Sequence, residues 1–289
     1  MILHQIRLKY STLISLHINL TVTHIYNYQI NKGVFFMVST MSIANMVISL
    51  IATLAVVIIS FIYFYKKEKI TIKPVLIGAG TFILFSQVLE KILHSIVINN
   101  KVFTNPLAFA IYGALAAGVF EECGRFIAFK TLLKNKHQWK DGIAFGIGQG
   151  GIEAILVGVL STINYLVISS LINAGTFEQT LGAAVPAESL AQLKGVLTGP
   201  SSIFLAIGIE RIFAFAMQIG LTMVVLYGVR HKKNLYLLLA ILLHALMDVP
   251  AALYQTGFFT NVWLAELTFF GFAIIAVLYI KKSKKSFGD

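Results

Sequence analysis

One cysteine in 289 residues, Cys123, leaves this chain no disulfide framework and no thiolate metal cage. Flanked by Glu122 and Gly124 in an apolar run, it reads as a small buried residue rather than a nucleophile. Charge is also scarce. Only 12% of the residues are Asp, Glu, Lys or Arg, against 57% hydrophobic, which excludes a soluble domain. No nucleotide-binding loop, internal repeat or low-complexity stretch is present. Acidic residues are the rarer sign, 12 against 23 basic, for a net charge of +11. Such an excess can serve nucleic-acid binding, but here the basic residues sit in short clusters between apolar runs. That placement is the positive-inside signature of membrane topology, and no nucleic-acid partner is expected.

What the chain does have is a series of apolar runs of roughly 20 residues, long enough to cross a bilayer as helices. They predict an all-α polytopic bundle of seven spans: Ile43–Phe64, Pro74–Ile98, Pro106–Leu133, Gly142–Ile172, Ser201–Tyr227, Leu235–Tyr254 and Val262–Ile280. Basic clusters follow the first, third, fifth and seventh (Lys66, Lys67 and Lys69; Lys130, Lys134, Lys136 and Lys140; Arg230, Lys232 and Lys233; and the tail KKSKK), whereas the intervening loops hold at most one lysine each. This alternation places the N-terminus outside and the C-terminus in the cytoplasm. The polar segment 173–200 is long enough to cap the bundle or to serve as a plain connection.

Residues 1–36 differ from the rest. They hold three of the seven histidines together with Arg7, Lys9 and Lys32, and show neither a clean span nor a signal-peptide cleavage pattern. Lys32-Gly33-Val34 is encodable as AAA-GGA-GTN, a purine-rich ribosome-binding sequence just upstream of Met37. The expectation is a start at Met37 or Met41, with 1–36 a translated leader and 37–289 one transmembrane domain of a bacterial plasma-membrane protein.

Several spans carry polar groups that lipid does not tolerate without a partner or a wet cavity. The third reads GALAAGVFEECGRFIAFKTLL, with Glu121, Glu122 and Arg125 inside the apolar run. Glu121 and Arg125 are four apart and Glu122 and Arg125 three apart, so the arginine can neutralise one carboxylate and leave the other free. A structural ion pair between helices accounts for the same pattern. In the fourth span Phe145, Gln149 and Glu153 form one stripe, and Gly146, Gly150, Ala154 and Gly158 form an adjacent small-residue stripe suited to close helix packing. The fifth carries Glu210, Arg211 and Gln218, with Glu210 and Arg211 read as ion-pair partners for Glu90 and Lys91 of the second. The sixth carries His244 and Asp248, one turn apart, so that the carboxylate can orient the imidazole.

Depth links these groups. Counted from the basic flanks at about 1.5 Å per residue, Glu122, Glu153, Gln218 and His244 all lie roughly 15–20 Å in, with Glu121 and Asp248 within about a turn of that level. Scattered ion pairs have no need to converge on one plane. A secluded cavity lined by carboxylates and one imidazole suits hydrolysis, the carboxylate taking a proton from water and the imidazole stabilising an oxyanion or protonating a leaving amine. The same groups could relay protons or bind a cation.

Glu121-Glu122-x-x-Arg125, Phe145-x-x-x-Gln149 and His244-x-x-x-Asp248, in that order on the third, fourth and sixth spans, resemble the motifs of the glutamic-type intramembrane protease superfamily, which includes the CAAX-processing, bacteriocin-processing and PrsW-like enzymes. Within it they are most similar to the YhfC-like membrane proteins, classed as intramembrane metalloproteases. The resemblance covers residues 106–254. It implies an intramembrane endopeptidase acting on membrane-embedded or membrane-adjacent protein, with Glu121 as water-activating base, Glu122 as the partner of Arg125 (or the two exchanged), and His244 with Asp248 stabilising the oxyanion or ligating metal. Gln149 departs from the pattern, which has His or Glu there, and Glu153 one turn along is its candidate substitute; Glu210 and Gln218 would support the site. A divalent metal, zinc by the family's class, would need Glu121, Glu153, His244 and Asp248, since His244 is the one histidine at site depth. A metal-free glutamate/histidine mechanism is the other reading. A non-catalytic immunity or sensory protein, or a proton- or cation-coupled transporter, would use the same side chains differently.

Overall fold

In the computed structural model, which describes residues 37–288, the chain is helical with no strand among the described residues. Residues 1–36, and with them the expected leader, lie outside the described residues. Among the described residues seven helices are long and apolar enough to cross a membrane: α1 (Thr40–Lys67), α2 (Ile72–Asn99), α3 (Pro106–Lys130), α4 (Trp139–Asn173), α7 (Ser202–Arg230), α8 (Leu235–Gln255) and α9 (Val262–Ser286). Two short helices, α5 (Phe177–Leu181) and α6 (Ala187–Leu197), lie between α4 and α7.

Local chemistry sets the helix starts. The Ser39 hydroxyl accepts the Ser42 amide at the head of α1. At α3 the Asn105 side chain accepts the amides of Leu107 and Ala108, and Pro106 occupies the first turn, where its missing N–H costs nothing. A reciprocal Gln138–Asp141 capping box opens α4. The seven spans match the expected ones to within a few residues, except at the end of α9. There the helix runs on through the basic tail because the tail is docked. Trp139 Nε1 donates to Ser283 Oγ at 3.0 Å, Lys284 reaches Glu68 at 2.6 Å, and buried Phe287 lies under the Arg230 guanidinium. These contacts, with Arg230 donating to the His137 carbonyl, gather the basic clusters at one end of the bundle.

The segment 173–200 does not cap the bundle centre. Phe177, Val185, Leu190 and Leu197 pack with Val38, Met46, Ile172 and Phe204 over the ends of α1, α4 and α7. Asn173 exchanges both amide hydrogen bonds with the Val38 backbone.

Helix α7 is the post of the bundle. It packs against α1, α3, α4, α8 and α9, and its apolar window is 78% buried, against at most 39% in the other spans. The small stripe of α4 lies against it: an added Cβ would come within 2.8 Å of Ile219 at Gly146 and within 2.9 Å of Gln218 at Gly150. A second close crossing joins α4 to α2, where a Cβ on Gly148 would sit 1.9 Å from the Val75 carbonyl oxygen and one on Gly78 2.2 Å from that of Phe145. Both spans also contain a π-helical stretch, Ile83–Glu90 in α2 and Ala154–Val159 in α4. Each π turn re-phases the helix, and each abuts a membrane carboxylate: Glu90 ends the first, and Glu153 immediately precedes the second.

Gly148→Ala should therefore force α2 and α4 apart, at a cost of about 1–3 kcal/mol of overpacking, and lower the unfolding temperature in detergent. Gly80→Ala, where a Cβ meets nothing within 4 Å, should leave that temperature unchanged or raise it slightly.

Candidate functional site

Arg125 has no exposed surface, and polar side chains meet its guanidinium. Its Nε donates to Gln149 Oε1 at 3.0 Å, Nη1 to Glu122 Oε2 at 3.0 Å, and Nη2 to Gln218 Oε1, with Glu121 Oε2 at 3.5 Å. One guanidinium thus holds side chains from α3, α4 and α7. The two amides turn their other ends to the same carboxylate oxygen: Gln149 Nε2 donates to Glu121 Oε2 at 2.9 Å and Gln218 Nε2 at 3.0 Å. Each glutamine needs an acceptor for the arginine and a donor for the glutamate, which an amide supplies and a carboxylate does not. Gln149 is therefore suited to its place, and Glu153 makes a different set of contacts. Glu153 instead accepts from Arg211 Nη1 at 3.0 Å and from Gln218 Nε2 at 2.6 Å.

The fourth helix of the cluster is α8. It crosses α3 closely: at Gly118 an added Cβ would come within 2.7 Å of the Ile241 carbonyl oxygen. This approach sets His244 Nδ1 2.6 Å from Glu122 Oε1, with His244 Nε2 3.3 Å from Asp248 on the following turn. Because Glu122 already accepts from Arg125, Nδ1 of the histidine is the donor in that pair.

A cavity of about 460 Å³ lies beside this network and extends to Phe103, Asn105, Gln255 and Thr256, at the end of the bundle opposite the basic clusters. It divides the expected site residues. Glu121, Glu153, Glu210, Gln218, His244 and Asp248 line it. Glu122, Arg125 and Gln149, with no exposed surface, stand behind them. Glu121 and Glu122 are neighbours in sequence with different surroundings: Glu122 is taken up by Arg125 and His244, whereas Glu121 accepts all three of its hydrogen bonds on Oε2. Among the described residues no hydrogen bond falls on its Oε1.

One expectation needs correction. Arg211 does not form the expected ion pair with Glu90: it pairs with Glu153 and with its own neighbour Glu210, and Glu90 pairs with His94 at 3.1 Å on its own helix. Lys91 donates to Gln87. The side chains chosen are those the helix phases bring within reach. Glu266, buried in α9 with no hydrogen-bond partner for Oε2 among the described residues, was not among the expected site residues, although a lone glutamate in an apolar span is the signal that singled out Glu153.

A family model described as YhfC intramembrane metalloprotease matches residues 51–269. The chain belongs to the YhfC family. A relative from Bacillus subtilis (strain 168), described as uncharacterized membrane protein YhfC, is 42% identical over 232 residues, which cover 78% of this chain and 90% of the relative. No solved structure matches. With its seven apolar helices and this relative, the protein is an integral membrane protein of a bacterial membrane.

The family description raises a metal, and the side-chain arrangement does not fit one. Among the described residues no three His, Cys, Asp or Glu converge closely enough to hold an ion. A catalytic zinc site takes three protein ligands, commonly two or more of them histidines. Here His244 has both ring nitrogens against carboxylates, and the Glu121–Glu122 pair is already served by a guanidinium in the place a cation would take.

Arg125→Ala would strand Glu122 in a sealed site, and loss of one partner of a buried pair costs about 3–5 kcal/mol. Gln149→Ala removes two hydrogen bonds, about 1–3 kcal/mol, from a guanidinium that keeps its other partners. Unfolding temperatures in one detergent should rank wild type above Gln149→Ala, and both above Arg125→Ala.

Proposed function

We propose that the protein is an intramembrane endopeptidase that hydrolyses peptide bonds of membrane-embedded or membrane-adjacent protein with water activated by Glu121, without a metal. The reading rests on one observation: of two adjacent buried glutamates, only Glu121 lines the cavity, and three donors fix one of its oxygens while none binds the other. A base must be held still and keep a lone pair for the incoming proton. A water between Glu121 Oε1 and a substrate carbonyl would give its proton to Glu121 as it attacks the carbon.

His244 takes the complementary role. Glu122 grips it at Nδ1, and the longer pairing to Asp248 leaves Nε2 the nitrogen able to turn towards the developing oxyanion or the leaving amine. Arg125, Gln149 and Gln218 touch no substrate in this scheme; they position the two glutamates. The basic end of the bundle is proposed to face the cytoplasm, as the positive-inside rule requires, so that substrate reaches Glu121 from the outer side.

Purified protein and a panel of single-span peptides test this. Glu121→Gln should reduce cleavage by about 10²–10⁴-fold, the usual contribution of a general base, with no change in unfolding temperature, and His244→Ala should also abolish it. A chelator should leave the wild-type rate unchanged. Full activity of Glu121→Gln would remove Glu121 from the mechanism, and loss of activity on chelation that returns with added zinc would remove the metal-free step. Cleavage of no peptide by the wild type would favour a non-catalytic immunity or sensory role, or ion-coupled transport.

A further inference from the structure

The half of the cavity remote from Glu121 carries side chains that hydrolysis does not use. Glu90, at the end of the π-helical turn of α2, lines it and is 7% exposed. Its Oε1 lies 3.1 Å from His94 Nε2, and its Oε2 has no hydrogen-bond partner among the described residues. His94 Nδ1 in turn meets the Tyr112 hydroxyl at 2.8 Å. Around Tyr112 stands an aromatic group, Phe103 stacked on it at 5.0 Å, His94 edge-on at 5.4 Å and Phe109 at 6.0 Å. Phe103, Phe109 and His94 line the cavity with Glu90.

Charge around the cavity is one-sided. Five carboxylates line it (Glu90, Glu121, Glu153, Glu210 and Asp248) against one guanidinium, Arg211, which is spent on Glu153 and Glu210, and two imidazoles, His94 beside Glu90 and His244 beside Asp248. This negative wall belongs to a protein whose net charge is +11. In surroundings of low dielectric an uncompensated carboxylate draws a cation strongly, and aromatic faces beside it add cation–π attraction. The apolar stretch between, with Phe82, Ala110 and Ala114, suits the aliphatic stem of a long basic side chain.

We propose that this outer half of the cavity binds a lysine or arginine side chain of the polypeptide substrate, with Glu90 Oε2 as its counter-charge and the Phe103–Tyr112 group beside it. The inference rests on the proteolytic reading only in taking the occupant to be a polypeptide. It makes the protein selective for substrates with a basic residue near the scissile bond and set against acidic ones.

Binding separates the two proposals, because it requires no cleavage. Two fluorescein-labelled apolar peptides, identical except for a central lysine or glutamine, would be titrated against detergent-purified wild-type protein and the Glu121→Gln variant by fluorescence anisotropy. One desolvated charge-assisted contact predicts at least about tenfold tighter binding of the lysine peptide to both proteins. Glu90→Gln should shrink that preference to within about threefold. Glu178→Gln, which removes a carboxylate paired with Lys194 on α6, outside the cavity, should keep it. Equal binding of the two peptides, or binding of neither, overturns the proposal, as does a lysine preference that survives Glu90→Gln as fully as it survives Glu178→Gln. A preference of the expected kind in protein that cleaves neither peptide would uphold the cationic subsite and count against the protease.

Discussion

A fully buried guanidinium within a membrane-spanning helix must have its donors met by protein, because the bilayer offers nothing in exchange. Arg125 meets this by recruiting Glu122 on its own helix, Gln149 from α4 and Gln218 from α7. Each partner brings its helix with it. The requirement therefore fixes the rotation of α4 and α7 about their axes as well as their positions, and the glycines at 146 and 150 allow the backbone of α4 close enough for the amides to reach. His244 joins through Glu122 rather than through the arginine, so α8 is tied to the same centre at one remove.

From this constraint comes the difference between two adjacent glutamates. Their side chains leave the helix about 100° apart, which sends Glu122 into the sealed network and Glu121 to its edge, where the cavity begins. Gln149 and Gln218 then act as a matched pair, each accepting from the arginine and donating to Glu121 Oε2. A guanidinium and two neutral amides steady the carboxylate on one oxygen. This asymmetry is what the proposed general base needs, and among the described residues no three His, Cys, Asp or Glu converge to hold a metal.

A second arginine works differently. Arg211, at the cavity surface, bridges Glu153 and Glu210, and its charge is used up within α4 and α7. Glu90 is left with a histidine and, among the described residues, one oxygen without a hydrogen-bond partner. The cavity thus grades from a positioned carboxylate at its inner end to an acidic and aromatic wall at its outer end, the proposed reactive atoms at one end and the proposed recognition chemistry at the other.

The sequence by itself determined the seven spans, since a bilayer admits only helices of a set length and the caps at Ser39, Asn105 and Gln138 are local chemistry. It also marked Glu121, Glu122, Arg125, Gln149, Glu153, Gln218 and His244, because a polar group in an apolar run is visible without knowing its neighbours, and equal depth on different spans brought them to one level. Which of them touch was not legible. That depends on helix rotation and crossing, and two π-helical turns shift the phase on which any spacing argument relies. Tertiary structure alone placed Arg211 on Glu153 instead of near Glu90, drew the segment 173–200 aside from the cavity, and docked the basic tail on Glu68 and Trp139. It also decided that Gln149 is an amide because one neighbour is an arginine and the other a glutamate, a fact held in three helices at once and in no stretch of sequence.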